Sequence, residues 1–104
     1  MLKQDIIASI HRHEKALRGL GVRSLALFGS VVREQQKAAS DIDLLYEFEE
    51  GEATLDHYLD LQAFLENLFG RRVDLVPAKY VSSLLERYIQ NDLELILPPV
   101  SEAV

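Results

Sequence analysis

The sequence contains no cysteine, which excludes disulfides, a thiolate nucleophile and any cysteine-ligated metal, and agrees with a reducing compartment. Basic charge is scarce: 11 lysines and arginines stand against 17 aspartates and glutamates, a formal net charge of −6. That deficit argues against a broad grip on a nucleic-acid backbone, which needs a basic face to displace counterions. The start, Met1-Leu2-Lys3-Gln4-Asp5, lacks a basic segment followed by an apolar stretch, and no apolar run approaches membrane-spanning length. Internal repeats and low-complexity segments are also missing. The expectation is a cytoplasmic protein with no membrane contact and no direct nucleic-acid binding.

What is present suits a folded domain. The chain has 104 residues, 48% hydrophobic and 27% charged, enough for a single core and outside the range of disordered composition. We expect one folded unit over residues 1–97 and a tail, 98–104, opening with Pro98-Pro99. From Leu2 to Leu20, apolar residues at Leu2, Ile6, Ile7, Ile10, Leu17 and Leu20 recur at helical spacing, and Gly19 and Gly21 supply a stop. Val22 to Phe28 is a nearly continuous apolar run ended by Gly29, as in a strand buried on both faces. Arg33 to Ala39 favours a short polar helix, with its amino end at Gly29-Ser30.

Asp41 to Phe48 alternates, with Ile42, Leu44, Tyr46 and Phe48 on one side and Asp41, Asp43, Leu45 and Glu47 on the other. A helix capped by Thr54 and ended by Gly70 follows, then a strand from Arg71 to Pro77. Val81, Leu84, Leu85, Tyr88 and Ile89 form the stripe of a last helix, ahead of a short apolar segment, Leu93 to Leu97. Strands alternating with helices predict an α/β fold with a small, mostly three-stranded mixed sheet and about four helices.

Chemistry concentrates on the strand acids. Asp41 and Asp43 project together, about 7 Å apart along the backbone, and two parallel carboxylates repel unless one is protonated or a cation sits between them. Hard oxygen ligands suit Mg²⁺, which takes one or two protein carboxylates and completes its octahedron with water and phosphates. Asp41 alone reads more readily as a turn or cap residue than as a ligand; the pair is harder to explain that way. Asp74, inside the apolar run Val73 to Val76, adds a third acid that is unfavourable on a strand unless its face is polar or its charge compensated.

Gly29-Ser30 supplies a complementary feature. A glycine after a strand permits a tight turn and close approach of a ligand, and a following helix aims free amides at an anion. Taken alone, Gly29-Ser30 reads more readily as a simple strand-to-helix turn with Ser30 as the helix cap. Arg33 shares a helical face with Ser30 and has the reach and charge for the same phosphate, whereas Lys37 fits a solvated position.

Together, Gly29-Ser30, ten intervening residues and Asp41-Ile42-Asp43 form a GS-x10-DxD pattern. That pattern, with Asp74 in place as a third carboxylate, resembles the polymerase beta-like nucleotidyltransferases, and the stretches FGSVVR and SDIDLLYEF resemble their minimal form, the MNT domain. The resemblance spans about Val22 to Val76. It departs from the usual GS-x-A-R-G at Val32 and Glu34 and keeps Arg33.

The resemblance implies transfer of AMP from ATP to an acceptor hydroxyl with release of pyrophosphate. By it, Asp41, Asp43 and Asp74 are the catalytic and metal-binding residues, holding two Mg²⁺ ions, with Asp74 nearest the attacking oxygen; Gly29, Ser30 and Arg33 bind the nucleotide phosphates. Larger relatives carry further domains for the acceptor, so we expect the acceptor on another chain. Stand-alone MNT proteins pair with helical HEPN-type toxins as antitoxins, which implies adenylylation of a hydroxyl, plausibly tyrosine, on such a partner. Two other readings stand beside it: a binding antitoxin that masks its partner without catalysis, and a transferase for a small acceptor of aminoglycoside type. His11 and His13 lie two apart on a helix and face different ways, and His57 has no partner at ligand spacing, so all three are read as surface residues. Tyr46, Tyr58, Tyr80 and Tyr88 are read as core or rim packing residues, with one of them able to cover an adenine.

Overall fold

The computed structural model describes residues 2–29, 41–81 and 93–100. Its elements are helices α1 (Lys3–Arg12) and α2 (Glu14–Gly19), strands β1 (Val22–Phe28) and β2 (Ile42–Phe48), helix α3 (Leu55–Phe69), and strands β3 (Val73–Pro77) and β4 (Leu93–Leu97). A 3₁₀ turn, Ala78–Val81, follows β3. Among the described residues the strands form one mixed sheet in the order β3-β2-β1-β4. β1 is antiparallel to both β2 and β4, and β2 is parallel to β3. A parallel pair needs a crossover, and α3 provides it.

Two expectations change. The sheet has four strands rather than three, because the short apolar segment Leu93–Leu97 pairs with β1. A five-residue apolar run carries no decisive period, so its strand character emerges only once β1 lies in the sheet interior and offers a second edge. The single first helix expected from Leu2 to Leu20 is two helices, divided at His13, whose backbone sits at φ −108°, ψ 17°. The break falls in the gap between the core residues Ile10 and Leu17, where the imidazole of His13 donates from Nδ1 to the Ser9 carbonyl at 2.8 Å. The polar helix expected at Arg33 to Ala39 lies outside the described residues. Of the last expected helix only Val81 is described, at the end of the 3₁₀ turn.

The core lies on one face of the sheet. Ile6 and Ile10 of α1, Leu17 of α2, and Leu61, Leu65 and Phe69 of α3 pack on Leu25, Leu27, Ile42, Leu44, Val73 and Leu75. Because successive strand residues alternate in direction, this fixes what the other face carries: Phe28 of β1, Asp43 and Leu45 of β2, and Asp74 of β3. Burying eleven side chains almost completely, Leu25, Leu27, Ile42 and Leu44 among them, stabilises the chain by roughly 1.5–3 kcal/mol each before entropy is counted. That anchors the register which places the acids.

Local signals shape α3 as its sequence predicts. Thr54 Oγ1 accepts the amide of His57 at 3.2 Å, capping one of the free amides of the first turn. Gly70 ends the helix in the left-handed region at φ 64°, its amide donating to the Glu66 carbonyl at 2.8 Å. Polar ties join the helices to the strand ends. Lys3 pairs with Glu94 at 3.2 Å, and Arg18 reaches the carbonyls of Arg23 and Pro98, the latter at 2.8 Å. Among the described residues no helix is long and apolar enough to cross a membrane.

Candidate active site

Three segments meet where β1 ends and β2 and β3 begin. Phe28 lies opposite Asp43 in the β1–β2 register, so Gly29 follows directly beside that carboxylate. Asp43 is in turn the register partner of Asp74 across the parallel β2–β3 pair. Neighbouring strands lie about 4.8 Å apart, and side chains in register share a face, so Asp43 and Asp74 stand side by side on the face opposite the helices. Asp43 is half-buried and Asp74 exposed. Asp41 is also half-buried, one residue before β2 begins.

Gly29 is fitted to this arrangement. Its φ is +81°, a conformation that side chains rarely adopt, and a Cβ built on it would lie 2.5 Å from Asp43 Oδ2. The carboxylate of Asp43 thus occupies the space that any other residue at position 29 would fill. Glycine here serves both the turn after β1 and the seating of the acid.

The start of β3 is held by side chains of α3. Ile42 donates its amide to the Arg72 carbonyl at 2.9 Å, so alternation along the parallel strand turns the polar groups of Val73 outward, to the sheet edge. There Glu66 Oε2 accepts the Val73 amide at 3.0 Å, and Gln62 Nε2 donates to the Val73 carbonyl at 3.4 Å. The carbonyl of Val73 belongs to the same peptide unit as the amide of Asp74. Sequence reasoning assigns nothing to Glu66 or Gln62, because their one visible signal, a polar position on the helix crossing from β2 to β3, is shared by every solvated helix residue.

The donor set fits a hard divalent cation. Carboxylates at adjoining strand ends, beside a glycine that leaves room for one of them, offer oxygen ligands alone, the chemistry Mg²⁺ selects. Among the described residues no group of three or more acidic or histidine side chains is gathered as a complete metal centre. Asp43 and Asp74 are brought together by register, whereas Asp41 stands about 7 Å from Asp43 along the strand. That set is sufficient for Mg²⁺, whose remaining positions are commonly filled by water and substrate phosphates. Ser30 and Arg33, expected beside the phosphates, lie outside the described residues, as do Val32, Glu34 and Lys37.

Elsewhere, the residues without assigned chemistry have structural partners. His11 Nε2 donates to the Ile96 carbonyl at 3.0 Å and His57 Nδ1 to that of Glu52 at 2.7 Å. The ring of His13 meets that of Phe64 edge-on at 5.7 Å. Tyr46 packs against Phe48 and Tyr58, with ring centroids 5.2 and 5.8 Å apart. These aromatics line a cavity of about 480 Å³ with Thr54, Pro77 and Lys79. It opens at the carboxyl end of β2, about 10 Å along the strand from Asp43.

A family model described as the nucleotidyltransferase domain matches residues 10–96. The chain belongs to that family. The match spans β1, β2 and β3 and takes in the GS-x10-DxD pattern and Asp74. Among curated nucleotidyltransferase relatives, the protein adenylyltransferase MntA of Thermococcus cleftensis is 36% identical over 91 residues, covering 86% of this chain and 91% of the relative. A chain of Methanocaldococcus jannaschii assigned as a protein adenylyltransferase is 37% identical over 92 residues, covering 86% of this chain and 92% of its own length. A solved structure assigned as a minimal nucleotidyltransferase superposes with a TM-score of 0.72 at 32% identity, covering 89% of this chain and 94% of the other. The fold is shared with a toxin–antitoxin structure with AMP-PNP, at a TM-score of 0.66 and 22% identity over 85% of this chain and 72% of the other.

Proposed function

We propose that this nucleotidyltransferase is a protein adenylyltransferase that moves AMP from ATP to a tyrosine hydroxyl of a HEPN-type toxin, and thereby acts as its antitoxin. The observation that carries this is the registered pair Asp43 and Asp74 at the mouth of the Gly29 turn. The identity of the relatives described as protein adenylyltransferases supports the choice of a protein acceptor. The presence of the same fold in a toxin–antitoxin structure with AMP-PNP supports both the partner class and the nucleotide.

In this reading Asp41, Asp43 and Asp74 would hold two Mg²⁺ ions. When bound, the metal supplies positive charge that neutralises the triphosphate and the attacking and leaving oxygens. Gly29, Ser30 and Arg33 seat the outer phosphates. The acceptor oxygen bonds to the α-phosphorus, the bond from that phosphorus to the bridging oxygen of the β-phosphate breaks, and pyrophosphate leaves. The hydroxyl proton passes to the carboxylate of Asp74. The protein itself forms no covalent intermediate, because its contribution is position and charge.

The test is co-expression with a candidate HEPN-type toxin, addition of ATP and Mg²⁺, and intact mass of both proteins. We expect one or more AMP units on the toxin, and a loss of roughly 100-fold or more in transfer rate for Asp43→Asn. A tight, neutralised complex with no added mass would replace this reading by masking. Label appearing on an aminoglycoside and not on the toxin would replace it by small-molecule transfer.

A further inference from the structure

The acid pair at the site spans two strands, and among the described residues β3 is an edge strand in the order β3-β2-β1-β4. Edge strands present outward amides and carbonyls without a strand neighbour, and their ends fray or shift unless something covers them. Asp74 is the second residue of this edge strand and is exposed. Its place beside Asp43 therefore depends on how firmly the first turn of the ladder is pinned.

Three hydrogen bonds supply that pinning. Toward the sheet interior, the Ile42 amide binds the Arg72 carbonyl at 2.9 Å. Toward the outside, Glu66 Oε2 takes the Val73 amide at 3.0 Å and Gln62 Nε2 reaches the Val73 carbonyl at 3.4 Å. Glu66 and Gln62 lie one helical turn apart on α3 and share a face. They stand where the polar groups of a fifth strand would stand, and they hold both peptide units flanking the α-carbon of Val73, the second of which carries the amide of Asp74. A carboxylate accepting an amide makes a stronger hydrogen bond than a neutral acceptor. The helix that crosses from β2 to β3 thus also fixes the residue adjoining Asp74.

We infer that Glu66 is a positioning residue for the transfer reaction, clamping the edge of β3 with Gln62 so that Asp74 is held in register with Asp43. This inference rests on the reading of Asp74 as a catalytic residue given above. Glu66 acts through the backbone and touches neither nucleotide nor acceptor. Its loss is expected to lower kcat and to leave the KM for ATP nearly unchanged, because the phosphate-binding turn after β1 is untouched. Displacements of about 1 Å at a reacting group cost on the order of 100-fold.

The test compares wild type, Glu66→Ala and Glu66→Gln in complex with the toxin, measuring kcat and KM for ATP, together with amide hydrogen exchange at Val73 and Asp74 in the nucleotide-free chain. Glu66→Ala is expected to lose protection at Val73 and about 10- to 100-fold in kcat, with KM within about twofold. Glu66→Gln, whose carboxamide oxygen accepts the same amide, is expected to recover most of both. Should Glu66→Ala fail to fold, Glu66→Met fills similar space without an acceptor and takes its place. A kcat within about twofold of wild type in the variant without an acceptor, or unchanged protection at Val73, overturns the clamp. Wild type that transfers no AMP overturns instead the reading on which the clamp depends, and the two failures are distinct because the second appears before any variant is made.

Discussion

Position 29 shows how a single residue couples backbone and chemistry. At φ +81° an alanine is strained by about 1–2 kcal/mol, and its Cβ would fall 2.5 Å from Asp43 Oδ2. A carboxylate is the far end of a rotatable side chain, so it can swing aside, but it then leaves its position beside Asp74. Gly29→Ala is therefore expected to lose more function than stability. Denaturant unfolding should show a loss of about 1–2 kcal/mol, while AMP transfer to the toxin falls by tenfold or more, roughly the cost of a misplaced ligand. Equal losses in both measurements would mean that the glycine serves the turn alone.

At the scale of elements, the sequence is most informative where local chemistry and packing agree. α3 is legible from Thr54 to Gly70 because cap, stripe and stop all point to one helix. β1 and β2 are legible because one is apolar from Leu25 to Phe28 up to a glycine and the other alternates. Leu93–Leu97 was less legible: its role depends on β1 having a second free edge, a fact of tertiary structure. The division of the first helix at His13 depends on a polar ring bonding back to the Ser9 carbonyl, where periodicity alone continues the helix. The acids follow the same logic. Spacing in the sequence aligns Asp41 with Asp43, but only the parallel register brings Asp74 to Asp43, and no local pattern encodes which strands become neighbours.

The cap of α3 provides a control that separates fold from site. Thr54 lies at the end of α3 remote from Glu66, and its hydroxyl accepts the His57 amide at 3.2 Å. Thr54→Ala should cost about 1 kcal/mol in denaturant unfolding, as removal of a threonine cap does. Below its unfolding temperature it should transfer AMP at the wild-type rate, since neither Asp43 nor Asp74 depends on that cap. A large loss of rate would mean that the amino end of α3 takes part in holding the site.

Over the whole molecule, the net charge of −6 and the adjoining carboxylates of Asp43 and Asp74 set a cost that a bound cation offsets. Self-repulsion opposes the compact state, and repulsion between paired acids adds to it locally. ATP brings four negative charges of its own at neutral pH, so nucleotide without Mg²⁺ meets a site of the wrong sign. Mg²⁺ and AMP-PNP together are therefore expected to stabilise the chain far more than either does separately. At a free ligand concentration about 100 times Kd, linkage gives about 2.7 kcal/mol, a rise in Tm of roughly 10–20 °C for a domain of this size. Asp43→Asn should erase most of that rise, because the change removes a ligand from the centre of the acid group. Thermal unfolding with Mg²⁺, with AMP-PNP and with both distinguishes the outcomes. If AMP-PNP stabilises equally without Mg²⁺, the acids do not act as cation ligands, and the nucleotide is held by the turn after β1 without them.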